Sequence, residues 1–560
     1  MPLDNSDADH SSPRIVADIV VVGAGLSGLV AAATAYAAGK SVAVLDQEPE
    51  ASIGGQAHWS FGGLFMVDTP EQRRLGVKDS AELALSDWLA SAAFDRSGDS
   101  NAREWAEAYV EFAAGEKRAW LRNLGVGIFP LVQWAERGGY GPQGHGNTVP
   151  RFHVTWGTGP ALVKPFLGKV REGVEAGRVS LHFRHRALSL ITTAGKVTGV
   201  SGEVLEPSTA VRGTATARVA VAGFEASAGA VVVTSGGIGG NHDMVRRQWP
   251  GENAPTYMLS GVPASVDGEF QSAVETMGAS VVNGDRMWHY PEGIHNYDPV
   301  WPKHGIRILP GPSSLWLDAW GHQLPAPLFP GFDSLGALRH ILGTGHDYSW
   351  FVLNRTIALK ELALSGSEQN PDLTGKDIRL LASRLKPGSD SPIQRFLDKG
   401  VDFIQASAPA ELASRMNQLT ESPRINAASL ESLIRARDSQ VASGLGKDPQ
   451  LAAIRAARRF ATDKLMRVAP PHRLTDPAHG PLVAIRLSVL TRKSLGGLRT
   501  DLRSRVLDSG GQAIPDLYAA GEAAGFGGGG IHGYRALEGT FLGGCLFTGR
   551  AAGRDAAASV

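Results

Sequence analysis

Residues 15–46 read IVADIVVVGAGLSGLVAAATAYAAGKSVAVLD, and this stretch decides the fold. Residues 15–22 are a continuous apolar run, the pattern of a strand buried in a parallel sheet. Gly23-Ala24-Gly25-Leu26-Ser27-Gly28 follows at once, then an alanine-rich, helix-forming stretch over 29–38 that Gly39 closes. Residues 41–45, SVAVL, form a second strand ending at Asp46. Strand, glycine turn, helix and acid-ended strand in this order make a dinucleotide-binding βαβ unit. Gly23 permits the tight turn, Gly25 lets the backbone approach a pyrophosphate, and Gly28 lets the helix pack on the sheet. The helix aims its unpaired N–H groups, with those of Ala24, Leu26 and Ser27, at the diphosphate. Asp46 is placed to accept from ribose hydroxyls, with Gln47 beside it and Glu48 as a weaker alternative.

A second match to the spacing, Gly525-x-Gly527-x-x-Gly530, does not repeat the unit. Small residues separate it from the preceding strand, and neither the usual helix nor an acid-ended strand follows. One dinucleotide loop and no dedicated nicotinamide-nucleotide domain imply that electrons pass to or from an external acceptor.

The rest of the 560 residues is ordinary in composition, 43% hydrophobic and 20% charged, with 55 basic and 55 acidic residues. A balanced charge gives no footprint for nucleic acid or an anionic membrane, and Arg455, Arg458 and Arg459 read as a solvated helix face. Cys545 is the one cysteine, which excludes an internal disulfide and a cysteine-rich metal or iron–sulfur site and fits a reducing cytoplasm. Residues 1–13 are polar and acidic, unlike a signal peptide. No run approaches the ~18 apolar residues of a membrane span, so no integral membrane segment is expected.

Helical spacing dominates 78–125, and strand-like runs follow at 179–183, 197–200, 219–224 and 230–234. From about 245 the texture shifts to prolines, tryptophans and polar turns, then to helical segments such as 352–364 and 428–438. After about 482 strands resume and lead into a glycine cluster and a final helix over 539–557. The pattern predicts an α/β fold: a Rossmann-type domain completed by the C-terminus, with an inserted α+β substrate-covering domain. The expected boundaries are a disordered tail at 1–14, the dinucleotide domain at 15–245 and 481–560, and the covering domain at 246–480.

Four further segments carry a family resemblance. Ile53-Gly54-Gly55-Gln56, followed by Ser60-Phe61-Gly62-Gly63, resembles the doubled glycine motif of the flavoproteins that include fumarate reductases and 3-ketosteroid Δ1-dehydrogenases. Thr234-Ser235-Gly236-Gly237 is similar to that family's strand end, and residues 494–498 through Ala519-Ala520-Gly521-Glu522 to its C-terminal flavin motif. The resemblance implies FAD as cofactor and a glutathione-reductase-like FAD domain. It implies that Glu522 binds the ribityl chain and that the last helix, opening near Thr540, faces the flavin N1/C2 edge, where a helix N-terminus stabilises negative charge. His58 does not match the spacing of relatives that attach flavin covalently, so no attachment is expected.

Within that family the dicarboxylate enzymes place a histidine before the C-terminal Gly-Gly. Here the chain reads Arg492-Lys493-Ser494-Leu495-Gly496-Gly497, and Ile531-His532-Gly533-Tyr534-Arg535 departs from their H-G-A-N-R signature. Tyr534 and Thr540 instead reproduce a tyrosine–threonine spacing of the ketosteroid dehydrogenases, although the Y-P-G of those enzymes is missing. The resemblance is therefore to a steroid-dehydrogenase-like branch, and the chemistry it implies is α,β-dehydrogenation of a hydrophobic ketone. In that chemistry a tyrosine donates to the carbonyl, a base takes the α-proton, and hydride passes to flavin N5. Tyr534 is the expected carbonyl partner, and Tyr290 and Tyr348 are the expected bases. His532, Arg535 and Trp288 are expected at the substrate, with Trp301 and Trp316 as further apolar walls. A fumarate-type or enoate reductase is the alternative, and a flavin-holding electron-transfer protein the non-enzymatic one.

Overall fold

In the computed structural model, which describes residues 14–138, 146–251, 253–383, 391–535, 537 and 539–560, the apolar run of the first strand lies at the centre of a sheet. Most of the expected tail, 1–13, lies outside the described residues, while Arg14 already belongs to the strand Arg14–Val22. That strand pairs in parallel with Val42–Asp46 on one side and Ala220–Val233 on the other. Val179–Phe183 and Ala513–Ala519 extend the parallel order outward. The hairpin His185–Thr193 and Lys196–Leu205 joins Ala220–Val233 antiparallel. The two runs expected at 219–224 and 230–234 are thus one long strand, because the hairpin pairs with its first half and the parallel sheet with its second.

The first helix, Leu26–Ala37, and the last, Thr540–Ser559, pack together on this sheet. Their backbones touch: a Cβ on Gly549 would sit 2.6 Å from the Ser27 carbonyl oxygen, and one on Gly553 2.5 Å from that of Ala31. Interiors at crystal-like density leave no slack for an added methyl there.

A second sheet runs in the order Leu315–Leu317, Tyr348–Asn354, Leu482–Ser494, Met287–His295, Gly305–Leu309, Ala363–Leu364. Leu482–Ser494 is a central strand of this sheet, whereas the sequence assigned residues from 481 to the nucleotide-binding part. The run LVAIRLSVL is buried almost throughout, as a strand covered on both faces must be. The helix expected over 352–364 is present as Arg355–Glu361, while its first three residues belong to a strand and its last two, Ala363–Leu364, to another. Tyr348–Asn354 is β-branched and aromatic, and only Arg355–Glu361 is helical, capped by the Asn354 side chain. A small third sheet, Gly63–Phe65, Phe152–Thr155 and Ile128–Gln133, carries the doubled glycines. No helix among the described residues is long and apolar enough to cross a membrane.

The helix contact makes a prediction in which one chemical change has opposite signs at two places. Gly553→Ala should lower stability by about 1–3 kcal/mol through overpacking. Gly168→Ala, in an exposed helix position where an added Cβ meets nothing within 4 Å, should raise it by about 0.5–1 kcal/mol. Urea unfolding of both variants measures this; equal effects would contradict the contact.

Candidate functional site

The glycine loop turns exactly where the two parallel strands end: Gly23 has φ +110° and donates its N–H to the Leu45 carbonyl at 2.8 Å. A Cβ on Gly28 would meet the Gly23 carbonyl oxygen at 2.0 Å, which is why the helix can sit so close. Gly25, by contrast, faces open space and lines a cavity of about 710 Å³. Gly54 donates to the Ala24 carbonyl at 2.9 Å, docking the doubled-glycine segment on the loop. Thr234 ties the neighbouring strand end to it by donating its hydroxyl to the Val22 and Gly23 carbonyls.

At one end of the cavity stands Asp46. It accepts from the Ala24 and Glu48 N–H groups, each at 2.8 Å, and burial pushes its carboxyl up to about 6. Glu48 also lines the cavity but is engaged, paired with Arg218 at 2.7 Å and taking the Thr216 hydroxyl, which leaves Asp46 as the strand-end acid for a ribose. Gln47 donates to the Ser265 carbonyl. In the middle, Ser27, Ser235, Gly236, Gly55, Gln56 and Ser60 line the wall, and the Ser235 hydroxyl is buried with no hydrogen-bond partner among the described residues.

Three distant segments meet at Glu522. Its Oε1 accepts from the Ser494 N–H at 2.8 Å and its Oε2 from the Gln56 amide at 2.7 Å. Lys493 donates to Gln56 Oε1 at 2.7 Å and lies 3.9 Å from the carboxylate, and burial lowers its pKa. A Cβ on Gly237 would stand 2.5 Å from Glu522 Oε1, and Gly521 holds the turn by donating to the Thr548 hydroxyl at 2.9 Å. The last helix opens on the far end of the cavity through Gly539, Phe541 and Leu542, with Thr540 fully buried behind them. Gly63, packed on Phe152, also lines the cavity, and Gly62 beside it donates its N–H to the Ser60 hydroxyl without lining the cavity. A carboxylate for a ribose, an open glycine loop for a diphosphate and a second helix N-terminus beyond it fit FAD in its extended form.

Of the tyrosines expected to act, only Tyr290 lines this cavity; the Arg307 guanidinium lies 3.8 Å from its ring centroid. Tyr348 packs in the core of the second sheet beside Trp350, because strand alternation turns both to the same covered face. Tyr534 is drawn away by its surroundings. Its N–H donates to the Ala92 carbonyl, its hydroxyl to Asp95 at 3.1 Å, and Arg286 lies 4.3 Å from its ring, so it lines a second cavity. Arg535 is held by Asp333 at 3.1 and 3.2 Å and lines that second cavity too. His532 stacks on Trp88 and is kept neutral, its pKa pushed down to about 3 by burial. Trp288 sits behind Tyr290, edge-on to Phe541, and Trp301 and Trp316 are core residues. The apolar walls come instead from Trp59, Phe61, Phe152 and Phe541.

Sequence reading missed Arg307, Arg492 and Ser365, which line the same end of the cavity. The Ser365 hydroxyl joins them, accepting from the Arg307 backbone N–H at 3.2 Å and from the Arg492 guanidinium at 3.3 Å. A signal was available, since Arg307 interrupts the otherwise apolar strand Gly305–Leu309 at a position that is 2% exposed.

The family model described as "FAD binding domain" matches residues 18–542. A "KsdD-like steroid dehydrogenase" of Mycobacterium tuberculosis (strain CDC 1551 / Oshkosh) is 58% identical, over 100% of this chain and 99% of its own length. A protein of the same name from Mycolicibacterium smegmatis is 60% identical over 97% of this chain and 99% of its length. Among solved structures, a 3-ketosteroid delta1-dehydrogenase from Sterolibacterium denitrificans, in complex with 1,4-androstadiene-3,17-dione, superposes with a TM-score of 0.69 at 18% identity, covering 97% of this chain and 100% of that one. That likeness establishes the shared fold.

The elevated Asp46 pKa sets a pH dependence. The carboxylate, the stronger acceptor of ribose hydroxyls, is lost as pH falls through about 6, so FAD should bind ~10-fold more weakly at pH 5 than at pH 7. In the apoprotein the sign is opposite: Asp46 costs stability as pH rises from 3.8 to about 6, because the unfolded chain releases that proton first. Fluorescence titration of FAD across this range tests the first effect, and Asp46→Asn should flatten it.

Proposed function

The chain belongs to the FAD binding domain family, and from that premise we propose that it is an FAD-dependent dehydrogenase desaturating a hydrophobic ketone such as a 3-ketosteroid. The observation that carries this reading is the full-length similarity to two steroid dehydrogenase-like relatives. The placing of one tyrosine among cationic donors at the flavin end of the cavity agrees with it.

Bound FAD supplies the hydride acceptor; the chain's own residues must orient the ketone, polarise it and take a proton. Phe61, Phe152 and Phe541 offer apolar surface for a flat, water-poor substrate. Arg307 and Arg492 supply the positive charge that a carbonyl oxygen needs as its α-hydrogen becomes acidic, the part first expected of Tyr534. Tyr290 takes the α-proton, and Arg307 beneath its ring fixes its position. Arg535 is held by Asp333 and lines the second cavity, so it offers no grip to a carboxylate in the first. The electrons then leave to an external acceptor. A single cysteine, half-buried on the last helix, supports a cytoplasmic setting.

Anaerobic mixing with 4-androstene-3,17-dione should bleach the visible flavin band. Tyr290→Phe should slow that bleaching by ~10²–10⁴-fold, the usual worth of a positioned acid or base, whereas Tyr348→Phe should leave it nearly unchanged. Bleaching by no ketone, together with reoxidation of dye-reduced enzyme by fumarate, would favour the reductase instead.

A further inference from the structure

The described residues enclose a second cavity, of about 1000 Å³, which the proposed dehydrogenation does not use. The strand Met287–His295 separates it from the flavin site. Alternation along the strand puts Trp288 and Tyr290 in the cluster that contains Phe541, and Met287 and His289 on the other side, against the second cavity. Leu338 and Leu342 give that cavity an apolar floor.

Two polar groups there lack partners. His289 is 5% exposed, and its Nδ1 has no hydrogen-bond partner among the described residues. Burial takes its pKa down to about 3, so the ring is neutral, with one nitrogen to donate and one to accept. Trp249 stacks on it at 4.5 Å with 24° between the planes, a flat surface of two rings. The exposed Arg339 guanidinium forms no ion pair or hydrogen bond among the described residues and stands 5.7 Å from the Tyr534 ring centroid. Arg96, paired with Asp285, and Arg103 add to the cationic lining.

We propose that this second cavity binds a quinone, the oxidant that takes electrons from the reduced flavin; the idea rests on the dehydrogenase reading above. A quinone is flat and apolar, and its ring carbonyls match a neutral histidine and a guanidinium. In the exchange its two carbonyls become hydroxyls. Two electrons and one proton come from the reduced cofactor and the second proton comes from solvent, leaving a hydroquinone and oxidised FAD. Guanidinium groups stabilise oxygens that become negative as electrons arrive, as both oxygens of a quinone do on reduction.

Equilibrium dialysis of menadione against the FAD-loaded protein tests binding without turnover, so its outcome does not depend on whether steroids are desaturated. The expected result is one menadione per chain, undisturbed by saturating 4-androstene-3,17-dione. Arg339→Leu, a surface change, and Leu338→Trp, which fills the floor, should each weaken binding ~10-fold, about 1.4 kcal/mol, with flavin content and steroid-driven bleaching unchanged. Reoxidation of photoreduced enzyme should saturate with menadione, and the same variants should shift its half-saturation equally. No binding, binding indifferent to both variants, or displacement by the steroid would each overturn the proposal.

Discussion

Gly549 and Gly553 let the last helix lie with its backbone on the first, with carbonyl oxygens of Ser27 and Ala31 where side chains would otherwise stand. Both helices then open on one cavity, the first through Gly25 and the last through Gly539. Their unpaired N–H groups and positive dipole ends are suited to two different negative charges, a diphosphate and the pyrimidine edge of a reduced flavin. Residues more than five hundred positions apart thereby act as one binding surface.

A second level of organisation is a small buried polar network. Glu522, Gln56 and Lys493 come from the C-terminal motif, the doubled-glycine segment and the central strand of the covering domain. Each satisfies another's donor or acceptor, as buried polar groups must. Because Lys493 sits at the end of Leu482–Ser494, the network ties a strand of the second sheet to the cavity wall. The same strand order sets Tyr290 and Arg307 over the flavin end, from the neighbouring strands Met287–His295 and Gly305–Leu309.

The nucleotide half of this arrangement was legible because its signals are local. Turn glycines, an apolar run and an acid at a strand end lie within one short segment, and Gly23, Gly25, Asp46, Gln56 and Glu522 all face or frame the cavity. The substrate half was not, since it depends on which face of a strand turns inward and on which partner captures a loop. Tyr534 has the spacing of a catalytic tyrosine, yet Ala92, Asp95 and Arg286, from other parts of the chain, decide where it points. The sheet to which Leu482–Ser494 belongs was hidden for a related reason. A run such as LVAIRLSVL says that a strand is buried, and nothing in it says in which sheet.

If the two chain ends hold one cofactor jointly, its arrival must quiet both at once. Hydrogen–deuterium exchange of the apoprotein and the FAD-loaded protein measures this directly. The account predicts slowed exchange together at the first glycine loop and its helix, and at the segment from Gly521 through the start of the last helix. Protection confined to the first loop, with the C-terminal segment exchanging as before, would contradict it.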